Sequence, residues 1–138
     1  MELTVKLVLQ EHVKHYWPQC EPLLESGLQP GRGESNAAHI LQELNAQRAY
    51  LLIGVDTQDI VHVAIAVQFQ PLPNYTVAHV YSIGGRGVIE NAQHWGMIKN
   101  WMKQNGAIKV QGLCRPAQAR LWRKLGFEEA YQVMQQDL

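Results

Sequence analysis

Residues 75–127 read YTVAHVYSIGGRGVIENAQHWGMIKNWMKQNGAIKVQGLCRPAQARLWRKLGF, and this stretch decides the fold. Tyr75 to Ile83 is an apolar strand ending in Gly84-Gly85-Arg86-Gly87. A long helix runs from Val88 to Asn105, with Val88, Ala92, Trp95, Ile98 and Met102 at steps of four, three, three and four, the spacing of one buried helix face. Gly106 is its natural stop, and Gly96 inside it points to close packing at that place. Ala107 to Leu113 is a short strand. Pro116 sits where a helix first turn tolerates proline, and Ala117, Leu121 and Leu125 line the buried face of a last helix closed by Gly126-Phe127. The whole is a strand, crossover helix, strand, helix unit. A glycine turn at its first strand-to-helix junction suits a phosphate, because the backbone can approach an anion there and the helix N-terminus points its free N–H groups at it. Gly84, Gly85, Arg86, Gly87 and Val88 are the candidate cofactor-binding residues.

Upstream, Leu3, Val5, Leu7 and Leu9 alternate as a first strand. Val13, Tyr16, Trp17, Cys20, Leu23 and Leu24 have helical spacing, with Pro18 and Pro22 expected to kink or split the helix. Leu28 to Glu34, containing Pro30-Gly31-Arg32-Gly33, is the expected mobile loop. Ser35 or Asn36 caps a second helix carrying Ile40, Leu41 and Leu44. Ala49–Val55 and Ile60–Phe69 pair as an antiparallel hairpin. Phe127 to Leu138 alternates enough to predict a closing strand. The fold class is α/β, with a mixed sheet in the order β α α β β β α β α β, and residues 1–138 form a single domain.

With 138 residues and 46% hydrophobic content, the chain can bury a core unaided. Twelve basic and twelve acidic side chains cancel, so the overall field favours neither nucleic acid nor an anionic membrane. Two distant cysteines, Cys20 and Cys114, fit a reducing compartment, and no apolar run approaches the ~20 residues of a membrane span. The expectation is a soluble, cytoplasmic protein.

The element order, the Arg-Gly turn before the long helix, and the string Ala119-Arg120-Leu121-Trp122-Arg123-Lys124-Leu125-Gly126-Phe127 resemble the GNAT superfamily of acyl-CoA-dependent N-acetyltransferases. The resemblance implies that the fourth and fifth strands splay apart and that acetyl-CoA or coenzyme A wedges between them. Family phosphate loops carry Arg or Gln, two residues, Gly, one residue, then Gly or Ala. Arg86 and Gly87 fit, while Ile89 and Asn91 stand where the two further small residues belong. Trp122 occupies the place of the tyrosine that often serves the family as acid, and indole is an N–H donor without a useful acid pKa. Weak coenzyme binding and degenerate catalysis are therefore expected, with a binding or assembly role; the alternative is a working N-acetyltransferase acting on an amine. Small size, the missing loop glycines and the same C-terminal helix also resemble GNAT-like proteins of tailed bacteriophages, including small virion-assembly proteins, which implies host cytoplasm or virion as location.

His79 is a candidate general base and Tyr81, on its side of the strand by period two, a candidate acid; the plainer reading of each is a filler of a half-buried strand position. His62 is a second candidate base. His12, His15 and Cys20 lack the ligand pairing of a zinc site, so no metal is expected. Arg115, Arg120, Arg123 and Lys124 form a basic cluster that reads as a solvated helix face, with phosphate or nucleic acid contact as the other reading. Trp95 and Trp101 lie six apart and cannot share one narrow stripe, which leaves one of them to face a protein partner or a second copy.

Overall fold

The computed structural model describes residues 2–28, 33–88 and 90–138. The elements follow in the order β1 (Thr4–Val8), α1 (Gln10–Leu28), α2 (Ala37–Asn45), β2 (Tyr50–Val55), β3 (Val61–Pro71), β4 (Thr76–Gly85), α3 (Ala92–Gln104), β5 (Ala107–Gln111) and α4 (Pro116–Arg123). They build one mixed sheet in the order β1-β2-β3-β4-β5. β1 to β4 pair antiparallel, and α3 carries the chain across so that β5 lies parallel to β4, the connection a parallel pair requires.

Each face of the sheet is covered. Leu51, Ile53, Ala64 and Ala66 pack under Val13, Tyr16, Cys20 and Leu24 of α1 and Ile40 and Leu44 of α2. Leu52, Val63, Ile65, Val67, Ala78 and Val80 pack under Trp95, Ile98 and Met102 of α3 and Trp122 of α4. Sheet residues buried on both sides explain why β2 and β3 read as continuous apolar runs instead of alternating ones.

Several expectations change. α1 is one unsplit helix containing both prolines. Pro18 and Pro22, four apart, stand on its exposed side, where the carbonyls they leave unpaired reach water. α3 begins at Ala92, not Val88, because Asn91 takes extended backbone and caps it; Val88 is buried in the same core from the preceding turn. A Cβ on Gly96 would meet nothing within 4 Å, so the expected close packing there is absent. α4 is rotated by about one residue from the expected setting: Trp122 is buried, while Leu121 is 45% exposed. Trp95 belongs to the core, and half-buried Trp101 closes an aromatic trio with Phe69 and the exposed Tyr50.

The predicted closing strand does not form. Residues 127–138 are neither helix nor strand, because the Phe127 ring is drawn between Trp95 and Trp122 and the following residues stay exposed. Most of the expected mobile loop, residues 29–32, and Ile89 lie outside the described residues.

Candidate functional site

The site forms where β4 leaves β5. The two strands pair only from Thr76 and Ala107 to His79 and Gln111, while β4 stays paired with β3 as far as Gly85. The splay expected of the fourth and fifth strands is therefore present. It coincides with a bulge in β4: Ala66 faces Ser82 and Val67 faces Val80, so Tyr81 is the extra residue. A bulge bends its strand and re-aims side chains. Here Tyr81 packs on the α1 side, and the next residue, Ser82, also turns there, its hydroxyl donating to the Leu24 carbonyl at 2.8 Å.

The gap between the strands opens into a cavity of about 820 Å³ lined by His79, Tyr81, Gly112, Trp122 and Ser35 among others, residues 128–135 included. Both expected catalytic residues meet in it, the His79 and Tyr81 rings edge to face at 5.4 Å. Burial lowers the His79 pKa below its usual 6.5, which keeps the imidazole neutral and able to accept a proton at pH 7. Burial first, and then the Glu43 carboxylate, raises the pKa of the Tyr81 phenol, with Arg48 opposing. Glu43 is itself held by Arg48 through two hydrogen bonds of 2.8 and 3.2 Å. Tyr81 is thus a proton donor of reduced acidity.

Ser35, expected only as a possible helix cap, also lines the cavity. Asn36 is the cap, accepting from the His39 N–H at 2.8 Å, and Ser35 Oγ is buried without a hydrogen-bond partner among the described residues. A buried hydroxyl left unpaired is costly, and a polar group in the cavity would satisfy it. Its signal in the sequence was only its place beside the cap.

Residues 84–88 do not line the cavity, and their glycines serve packing. A Cβ on Gly84 would stand 1.7 Å from the Leu23 carbonyl oxygen of α1, and one on Gly85, at φ +94°, 2.1 Å from the His62 carbonyl oxygen. Two of the turn's amides are engaged by the chain itself. Arg86 N–H donates to the His62 carbonyl at 2.8 Å, Gly87 N–H donates to the Glu90 carboxylate at 2.7 Å, and Asn91 Oδ1 accepts from Gln93 N–H at 2.9 Å. His94 Nδ1 meets the Gly87 carbonyl at 2.7 Å. The Gly87 hydrogen bond, foremost, holds the Glu90 carboxyl below its usual pKa, with the Arg86 and Lys124 charges adding to it. A carboxylate therefore stands on one of the amides that a diphosphate would seek in this turn.

Other candidates fall elsewhere. His62 Nε2 is tied to Asp56 at 2.8 Å in the β2–β3 hairpin, away from the cavity. Cys20 is fully buried, its thiol pushed up to about 12 by desolvation, so it does not join His12 and His15. Arg115, Arg120, Arg123 and Lys124 are exposed, with Arg115 and Arg123 reaching the cavity lining. Among the described residues, no helix is long and apolar enough to cross a membrane.

Comparison of the sequence with protein-family models gives no match, and comparison with curated proteins gives none either. Comparison of the fold with solved structures does. The chain is similar to an acetyltransferase from Trypanosoma brucei, with TM-score 0.65 and 15% identity over 99% of this chain and 100% of that one. It is also similar to an aminoglycoside acetyltransferase from an uncultured soil metagenomic sample, solved with sisomicin, with TM-score 0.71 and 11% identity over 99% and 96% of the two chains. A third is a predicted acetyltransferase from Clostridium acetobutylicum solved with acetyl-CoA, with TM-score 0.67 and 9% identity over 99% and 96%. The fold is that of the GNAT acetyltransferases.

Proposed function

We propose that this chain is a GNAT-fold protein that keeps a ligand cavity between β4 and β5 but is degenerate as a coenzyme A-dependent catalyst, and that it works as a binding or assembly module, including one of the kind carried by tailed phages. The observation that carries this reading is the self-engaged turn: Gly87 N–H is held by Glu90 and Arg86 N–H by His62. Trp122 supports it as well. The indole is buried, tilted against the Phe127 ring at 4.9 Å, and so close to Gly112 that a Cβ there would stand 2.5 Å from it. It acts as core at the position where the resembled family often has an acid.

A second reading, an N-acetyltransferase acting on an amine, is favoured by the neutral His79 beside Tyr81 in an open cavity. His79 would take the proton of the incoming ammonium, and Ser35 Oγ would hold a polar group of the acceptor. Acetyl transfer from labelled acetyl-CoA to a panel of polyamines, amino sugars and peptide amines separates the two. The binding-module reading expects no turnover above buffer. Turnover that drops ~10²-fold or more in His79→Gln, as for loss of a general base, establishes the second reading instead.

A further inference from the structure

We propose that the face built by α3, β5 and α4 binds the phosphate backbone of duplex DNA without reading its sequence. Such binding needs neither the ligand cavity nor the coenzyme.

The chain's charges cancel in number but not in place. α3, β5 and α4 carry Lys99, Lys103, Lys109, Arg120 and Arg123 and no acidic residue. α1 and α2, on the opposite side of the sheet, carry Glu11, Glu21, Glu25 and Glu43 against Lys14 alone. Over residues 86–127 as a whole, eight basic side chains stand against one acidic residue, Glu90. Among the described residues none of those eight is in an ion pair, the pairs belonging to Lys6, Arg48 and histidines. Cations gathered on one face without partners repel one another, and a polyanion relieves that repulsion.

Lys99, Lys103 and Lys109 surround a hollow of about 90 Å³ with no acidic residue in its lining. Lys99 and Lys103 stand one helical turn apart, ~6 Å along the axis, close to the ~7 Å of two phosphate steps along one strand of a duplex. Arg120 and the exposed Lys124 repeat that spacing at α4. Arg115 and Arg123 are less available, since Glu34, Glu128 and Glu129 share the cavity lining with them. The surroundings of these cations favour a duplex over other polyanions. A single strand is held by aromatic platforms, and the exposed apolar side chains on this face are Met97, Ile108, Leu113 and Leu121, none of them aromatic. Tyr75 lies under the Lys109 ammonium, and Trp101 is tied to Tyr50 and Phe69. An anionic membrane favours helices with an apolar face to insert, whereas α3 and α4 turn Trp95, Ile98, Met102 and Trp122 into the core.

The test is fluorescence anisotropy of a labelled duplex of about 30 base pairs, titrated with the full chain at salt from 50 to 200 mM. Contacts from Lys99, Lys103, Arg120 and Lys124 predict a slope of about −3.6 in log affinity against log salt, a loss of ~150-fold across that range. Lys99→Gln/Lys103→Gln and Arg120→Gln/Lys124→Gln are each expected to halve the slope, and circular dichroism checks that both remain folded. Lys14→Gln, on the acidic side, is expected to leave the slope unchanged. No duplex binding at 50 mM salt overturns the proposal, as does a slope that either double variant leaves intact or that Lys14→Gln lowers as much. A single strand of the same length bound more tightly than the duplex refutes the choice of duplex. Vesicles of phosphatidylserine and phosphatidylcholine that retain the chain when the duplex does not would assign the face to a membrane and overturn the proposal as well.

Discussion

Replacing Glu90 with glutamine should tighten coenzyme A binding. In the unmodified chain, a diphosphate that reaches for Gly87 N–H must first displace a carboxylate bonded at 2.7 Å, with Arg86 and Lys124 drawing it to the same place. A hydrogen bond to a charged group is worth about 1.5–3 kcal/mol net, and exposure of Glu90 lowers that toward about 1 kcal/mol. Relieving the competition therefore gains about fivefold in affinity, and removing the negative charge leaves Arg86 and Lys124 free for the phosphates. Calorimetry with coenzyme A and with pantetheine, which lacks the diphosphate, isolates the effect. The expected result is a gain of about fivefold for coenzyme A and none for pantetheine. Equal changes for both ligands, or no change for either, refute the account of Glu90 as the turn's own anion.

Gly84→Ala would place a Cβ 1.7 Å from the Leu23 carbonyl oxygen, so α1 must shift, and denaturant unfolding should report a loss of about 3 kcal/mol or more. Trp122→Ala empties a buried site packed on Gly112 and Phe127 and should cost about 3–5 kcal/mol by the same measurement. His79 has a folded pKa below its usual 6.5 because burial disfavours the cation. The unfolded chain therefore binds the extra proton first, and stability falls as pH drops from about 6.5 toward the folded value. Urea midpoints for His79→Gln should show a shallower decline between pH 7 and 5 than the unmodified chain, and parallel curves would contradict the assignment.

Much of the architecture was legible because the periodicities are clean. The steps of Trp95, Ile98 and Met102 marked the buried face of α3, and the two apolar runs gave the β2–β3 hairpin. The closing strand was not legible, because the alternation at Tyr131 and Val133 says nothing about whether an edge is there to receive it. Gly84 and Gly85 read as a phosphate cradle, but α1 crosses close to β4 and needs the same absence of a Cβ, a tertiary demand that local sequence cannot distinguish from a ligand's. The bulge at Tyr81 left the pairing of His79 with Tyr81 intact while turning Ser82 toward α1, and register of that kind is set by both strands together. In the sequence Glu90 is one acidic residue among the turn positions. Its bond to Gly87 N–H makes it instead the occupant of the turn, and no spacing rule announces that.

The most direct test of the central claim is a calorimetric titration of the unmodified protein with coenzyme A at low salt. A turn whose amides are engaged by Glu90 and His62 predicts a Kd above ~100 μM, equivalent to less than about 5.5 kcal/mol. A Kd in the low micromolar range would contradict it, and would mean that the turn opens to the coenzyme.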